Sequence, residues 1–130
     1  IIDALRYYDP GMYFIFDSNN TMTVLKSNNA EDAQIAYDPG IGTWRHYAIV
    51  SDSTNSFIKV YVNGSLFHQN TNYSGHRIRQ EFTVGTYSGA IGGSGNYFAN
   101  ANYDNFAYWN GVALSADQVS TIYNLTGNIQ

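Results

Sequence analysis

Trp44-Arg45-His46-Tyr47-Ala48-Ile49-Val50 and, after a polar break, Phe57-Ile58-Lys59-Val60-Tyr61-Val62-Asn63-Gly64 decide the fold of this chain. Both runs have a hydrophobic period of two, the signature of a strand. In the first, Trp44, His46, Ala48 and Val50 share one face, and Arg45, Tyr47 and Ile49 share the other. Bulk on both faces predicts a central strand. In the second, Ile58, Val60 and Val62 share a face. Asn63-Gly64 then supplies two residues that tolerate φ > 0, as a type I′ hairpin turn requires. Ser65-Leu66-Phe67-His68 reads as the return strand. The break between the two runs, Asp52-Ser53-Thr54-Asn55-Ser56, reads as a polar loop.

The same period extends outward. Met12–Phe16 and Thr21–Lys26 flank the turn-forming Asp17-Ser18-Asn19-Asn20, which predicts a hairpin. Gln34–Tyr37 is a weaker strand closed by Asp38-Pro39-Gly40. Proline presets φ there and glycine accepts φ > 0. Ile78, Gln80, Phe82 and Val84 mark another strand. Thr86 to Asn102 reads as a long Gly- and Asn-rich loop interrupted by Tyr97-Phe98. Tyr103–Trp109 reads as the last strand. Near the end, Ser115 and Gln118 fit a capping box, with Leu114 and Val119 as the flanking staple. A short helix follows, with Val119, Ile122 and Tyr123 on one face and Gly127 at its end. Many short strands with polar turns and one helix predict an all-β sandwich or jelly roll.

Composition narrows the function. The 130 residues suffice for one domain with one core. Charged residues are 12%, about half the usual share, while 12 tyrosines help to raise aromatics to 16%. That content excludes a disordered chain. No cysteine is present, so there is neither a disulfide framework nor a thiolate metal site. The net charge of −4 argues against a dedicated nucleic-acid surface. The apolar stretches are too short for a membrane-spanning helix. The chain opens on Ile1 without a basic and apolar leader pattern, which reads as a processed protein or a piece of a larger one.

Taken in order, these residues resemble the laminin-G-like domains of the concanavalin A-like lectin/glucanase superfamily. Trp44–Val50 and Ile58–Gly64 resemble the family core "W-x-H-x-A … L-Y-V-N-G". Phe82–Gly85 resembles its "L-x-I-G" strand, and Tyr103–Asn110 its "I-D-x-V-x-I-Y-N". Val112–Tyr123 resembles "A-L-S-x-x-E-I-x-x-L-Y". The resemblance covers about residues 12–124. It implies one laminin-G-like β-sandwich jelly roll over 1–130 with a short C-terminal helix. Phe98–Asn102 and Gly111 depart from the pattern. The strands that usually precede the first hairpin look missing or reduced to Ala4–Tyr8. Such a loss would leave open sheet edges, so the chain is expected to belong to a longer polypeptide or an assembly.

Candidate chemistry follows. Relatives of the fold include glucanases, and glycoside hydrolysis needs two carboxyl groups set across the scissile bond. The only glutamates are Glu31 and Glu81, and neither lies in the glucanase "E-x-D-x-x-E" strand. Asp104 is expected to be a buried aspartate bonded to backbone N–H groups. His46 is expected to be a hydrogen-bonded core histidine. His68 and His76 lack a third metal ligand nearby. The Gly89–Gly95 run has no phosphate-loop ending. The expectation is therefore no enzyme.

Calcium, implied by the resemblance, prefers oxygen ligands. Asp52 with Asn55, or Asp17 with Asn19, are candidates, set against the local Asx hydrogen bonds that such residues make in turns. Tyr73, Tyr87, Tyr97, Asn96 and Asn100 are the expected ligand-binding residues. Tyrosine offers a rigid amphipathic face, and asparagine adaptable hydrogen bonding. Against this stands the plain need of an all-β domain for strand and turn formers. Tyr47, Tyr61 and Tyr108 are read as filling. Asn19, Asn63, Asn72 and Asn124 head N-x-[ST] sequons, with Asn63 expected to be accessible in its turn.

Two functions remain open: an extracellular adhesion module for glycans or a protein surface, or a structural domain on a virion surface, meeting other subunits. Glycoside hydrolysis is the weakest alternative.

Overall fold

A computed structural model describes residues 2–3, 12–16, 21–26, 30–40, 42–72, 83–84, 86–88, 96–98 and 101–126. They fall into two compact units, Ile1–Asp38 with His76–Tyr103 and Pro39–Gly75 with Asp104–Gln130. Among the described residues, all regular structure apart from one helix is strand.

The first unit holds β1 (Ile2–Asp3), β2 (Met12–Phe16), β3 (Thr21–Lys26), β4 (Ala30–Ala36) and β8 (Thr83–Val84) in one antiparallel sheet, ordered β4-β3-β2-β1-β8. The hairpin read from Met12–Lys26 forms as expected, with Phe16 opposite Met22. β4 begins earlier than its periodicity announced, at Ala30. It accommodates an extra residue where the register shifts between Val24 and Leu25, a bulge that sharpens the twist. The register explains the sheet's chemistry. Val84, Ile2, Phe14, Val24 and Ala33 lie in one row across the strands, and Phe16, Met22 and Ile35 lie in the next row of the same face. Every position in both rows is apolar, and Met22 is fully buried. A strand does precede the hairpin, at Ile2–Asp3, while residues 4–8 lie outside those described. The unit's remaining strands, β9 (Thr86–Ser88) and β10 (Asn96–Phe98), form a separate two-stranded ribbon.

The second unit is a three-stranded antiparallel sheet of β5 (Tyr47–Asp52), β6 (Phe57–Val62) and β7 (Ser65–Asn70), with α1 (Ala116–Thr126). The turn at Asn63-Gly64 has φ of 49° and 75°, as the type I′ reading demands. The central strand is β6, not the Trp44–Val50 run, and Trp44–His46 is not strand at all. The reason lies in the turn. Asn63 has swung into the left-handed region, and its side-chain Oδ1 accepts from His46 N at 3.0 Å. Asn63 N donates to His46 O at 2.9 Å. The ladder therefore ends at Tyr47 opposite Val62, closed by one side-chain bond. Further upstream, Arg45 Nε donates to Pro39 O at 2.6 Å and ties down the Asp38-Pro39-Gly40 turn, where Gly40 has φ 70°.

β6 is buried on both faces. Ile58 and Val60 are fully buried on one. On the other, Tyr61 packs with Val50 and with Val119 of α1, flanked by Ala48, Phe57 and Leu114. The helix is seated as its sequence announced. Ser115 N donates to Gln118 Oε1 at 2.8 Å, and Gln118 N to Ser115 Oγ at 3.2 Å, the reciprocal capping box. Leu114 and Val119 meet in the same cluster, as a staple would have them.

The Tyr103–Trp109 strand does not form. These residues are irregular and exposed. Asn105 sits at φ 53° with its N–H bonded to Asp104 Oδ1 at 2.8 Å. A residue in that region breaks an extended strand. Asp104 accepts a backbone N–H as expected but is exposed rather than buried. Tyr108, read as filling, is exposed too, whereas Tyr61 is filling as expected.

Candidate functional site

The residues singled out for ligand contact are distributed unevenly. Tyr73 and Asn100 lie outside the described residues. Tyr87, Tyr97 and Asn96 do not lie in a loop, as the Gly- and Asn-rich composition had indicated. They belong to the β9–β10 ribbon, where Tyr87 stands directly opposite Tyr97 and Asn96 opposite Ser88. Cross-strand partners lie on the same side of a pleated ribbon. The ladder thus brings two phenol-bearing positions into one pair and sets an amide and a hydroxyl position in the neighbouring one. Ser88 was missed by the sequence reading. A signal for the ribbon existed, since Thr86-Tyr87-Ser88 and Asn96-Tyr97-Phe98 are both strand-forming triplets astride a Gly-rich run.

Asp52 and Asn55 do come together, in the turn between β5 and β6. Asp52 Oδ1 accepts from Thr54 N at 2.8 Å and Asn55 N at 3.0 Å, and Oδ2 accepts from Asn55 Nδ2 at 2.7 Å. The Asn55 side-chain bond first, then the backbone bonds, hold the Asp52 carboxyl below its ordinary value. Calcium takes six to eight oxygens. This turn directs N–H groups at both carboxylate oxygens, so the pair as it stands is an Asx turn and does not fit a calcium site. Asp17 and Asn19 lie outside the described residues. Among the described residues no three His, Asp or Glu side chains group as metal ligands.

His46 is half-buried, with its ring centroid 5.7 Å from that of Tyr123 and tilted by 49°. Burial lowers its pKa. The expected hydrogen-bonded core histidine is not what forms: the backbone is paired with Asn63, but buried imidazole Nδ1 has no hydrogen-bond partner among the described residues. Asn63 was expected to be accessible for glycosylation. It is only partly exposed, and its Oδ1 is engaged by His46 N. A glycan on its amide nitrogen would have to be accommodated beside that bond. Asn72 is exposed, with its N–H bonded to Asn70 Oδ1 at 2.8 Å.

Among the described residues of the second unit, a run of exposed apolar side chains lies just before the helix. Phe106 is 55% exposed, Trp109 46% and Val112 56%, with Tyr108 between them. Trp44, at 53%, is also open.

Comparison with known proteins now has a structure to attach to. Residues 3–120 match the Laminin_G_3 family model of the concanavalin A-like lectin/glucanases superfamily. The chain belongs to this family. Among solved structures it is similar to a segment of an S-layer domain-containing protein from Clostridium thermocellum. The similarity has a TM-score of 0.53 at 20% identity and covers 92% of this chain and 66% of that one. At that identity the likeness shows the fold alone. No curated protein matches.

Proposed function

We propose that this chain is a non-catalytic binding module, a laminin-G-like β-sandwich that recognises a glycan or a protein surface outside the cell. The observation that carries the reading is the Tyr87–Tyr97 register in the β9–β10 ribbon, with Asn96 opposite Ser88. Two phenols on one face make a platform for the C–H face of a sugar ring or for an apolar protein side chain. The adjacent Asn96–Ser88 pair alternates onto the ribbon's other face, where an amide and a hydroxyl position suit hydrogen bonds of either polarity. The sandwich itself is supported by the all-apolar rows of the first unit's sheet and by the buried Ile58 and Val60 of the second. Each such face needs a cover. Family membership is compatible with the reading, and the S-layer domain-containing structural neighbour agrees with an extracellular setting.

The test is a glycan array probed with the chain, with and without calcium, repeated with Tyr87→Ala and Tyr97→Ala. Binding that falls at least tenfold in both variants, with unfolding unchanged, supports the module. Absence of any hit in either condition sinks the lectin form. A hit that needs calcium would revive a metal site away from the Asp52 turn.

A second reading is favoured by a separate observation. The exposed Phe106, Tyr108, Trp109 and Val112 suit a domain built into a larger surface assembly, such as a virion coat, where that apolar stretch would be covered by other subunits. Retention of those residues under protein footprinting in the native assembly would favour the structural role. Free labelling there would favour the binding module.

A further inference from the structure

The His46 ring lies against α1. Its backbone is pinned to the β6–β7 turn through Asn63 in both directions. Its imidazole lies against Tyr123 of α1. Tyr123 in turn lies over Gly64, so closely that a Cβ there would come within 2.8 Å of its ring. Tilted imidazole, phenol and turn thus lie in one run of contacts, beside the Val119 cluster that also seats α1. Nδ1 of His46 is buried with no hydrogen-bond partner among the described residues. A proton added there would put an N–H and a positive charge where no acceptor waits.

We infer that His46 is a pH-sensitive latch, holding α1 on the three-stranded sheet while its imidazole is neutral and releasing it on protonation. Among the described residues, the groups that contact His46 and its neighbours offer no countercharge. From α1 comes the Tyr123 phenol, and from the turn come Asn63 and Gly64, both uncharged. Beside His46 in the chain, Arg45 turns its guanidinium to Pro39 O. Burial lowers the His46 pKa from 6.5. The released form titrates at the ordinary value and so binds the proton first. Docking is therefore fully supported above pH 6.5 and weakens as the pH falls below it. A one-proton linkage gives at most about a tenfold change in the docking equilibrium per pH unit.

The experiment is amide hydrogen exchange of residues 119–123 in the 130-residue chain, corrected for intrinsic rates, between pH 7.5 and 5. Protection in α1 should fall below pH 6.5, by up to about tenfold per unit, and more steeply than in β6. His46→Phe keeps a ring against Tyr123 and removes the titration, so its α1 protection should not follow pH in this window. A fall that persists in His46→Phe overturns the latch. NMR titration of the native His46 imidazole keeps the test independent of whether that variant folds. A midpoint below 6.5 is expected, and one at or above 6.5 overturns the proposal.

Discussion

Gly64→Ala should be among the most costly single substitutions in the second unit, and the structure says how costly. Gly64 has φ 75°, and a Cβ built there would lie 2.8 Å from Tyr123 Cδ1 and 3.1 Å from Tyr123 Cβ and Cγ. The left-handed backbone alone costs a non-glycine residue roughly 1–2 kcal/mol. Overpacking adds roughly 1–3 kcal/mol. It cannot be relieved by swinging the ring away, because Tyr123 Cβ is itself within 3.1 Å, so the helix must shift. Loss of glycine's freedom in the unfolded chain returns roughly 0.4–1 kcal/mol. The net loss is about 3 kcal/mol, a large fraction of the roughly 5–15 kcal/mol that holds a typical domain together. Urea denaturation reads it directly, as a lower midpoint at unchanged slope. Tyr123→Ala divides the two causes. It removes the Cδ1 and Cγ contacts and leaves the φ penalty, so Gly64→Ala should cost about 1 kcal/mol less in that background, a coupling typical of residues in contact. Equal costs in the two backgrounds would refute the contact between turn and helix. A total loss under about 1 kcal/mol in the native background would refute the whole account.

Other substitutions test other joints. Ser115→Ala removes the side-chain half of the capping box and should cost about 1 kcal/mol, measured by urea denaturation, with Ser115→Asn restoring most of it. Val119→Ala takes two methyl groups from a fully buried position and should cost about 2 kcal/mol, transfer and cavity terms together; a loss near zero would mean that α1 is not seated on Tyr61 and Val50. The Asp52 carboxyl is held below its ordinary value of 3.8 by Asn55 and Thr54. Its depressed value means that the Asx turn's support is present above that value and lost as the pH falls through the folded one. An NMR titration of Asp52 should therefore show a midpoint under 3.8, moving up in Asn55→Ala. Adding calcium at neutral pH should leave the Asp52 and Asn55 resonances in place.

The parts of the fold that were legible in the sequence are those written in consecutive residues. Asn63-Gly64 is a turn because two adjacent residues accept φ > 0. Ser115 and Gln118 start a helix because three residues of spacing let each side chain reach the other's N–H. The Met12–Lys26 hairpin follows from alternation on either side of turn formers. What the sequence hid depends on partners far along the chain. The Trp44–Val50 run has the better strand pattern, yet Phe57–Val62 is central, because Asn63 closes the ladder at Tyr47 and the helix covers the Tyr61 face. That covering comes from Leu114 and Val119, more than fifty positions later in the chain than Tyr61. The Tyr103–Trp109 run has alternation too, but Asn105 in the left-handed region overrides it, and asparagine enters that region more readily than most residues.

The candidate site shows the same division in sharper form. Composition pointed to Tyr87, Tyr97 and Asn96 and also placed them in a loop, since glycine and asparagine surround them. Composition can name the chemistry of a contact surface, but it cannot fix a face. The face is fixed by register, and side chains alternate with a period of two along a strand. A slip of one residue between β9 and β10 would set Tyr87 opposite Asn96 or Phe98 and place the two phenols on opposite sides of the ribbon. The observed pairing, Tyr87 with Tyr97, is therefore information that triplets such as Thr86-Tyr87-Ser88 do not carry. It depends on how the segment between them closes. For the same reason, the ligand-binding reading is more exposed to a change in that segment's length than to any single serine or glycine within it. A contact surface made by register can be lost without the loss of any residue that touches the ligand.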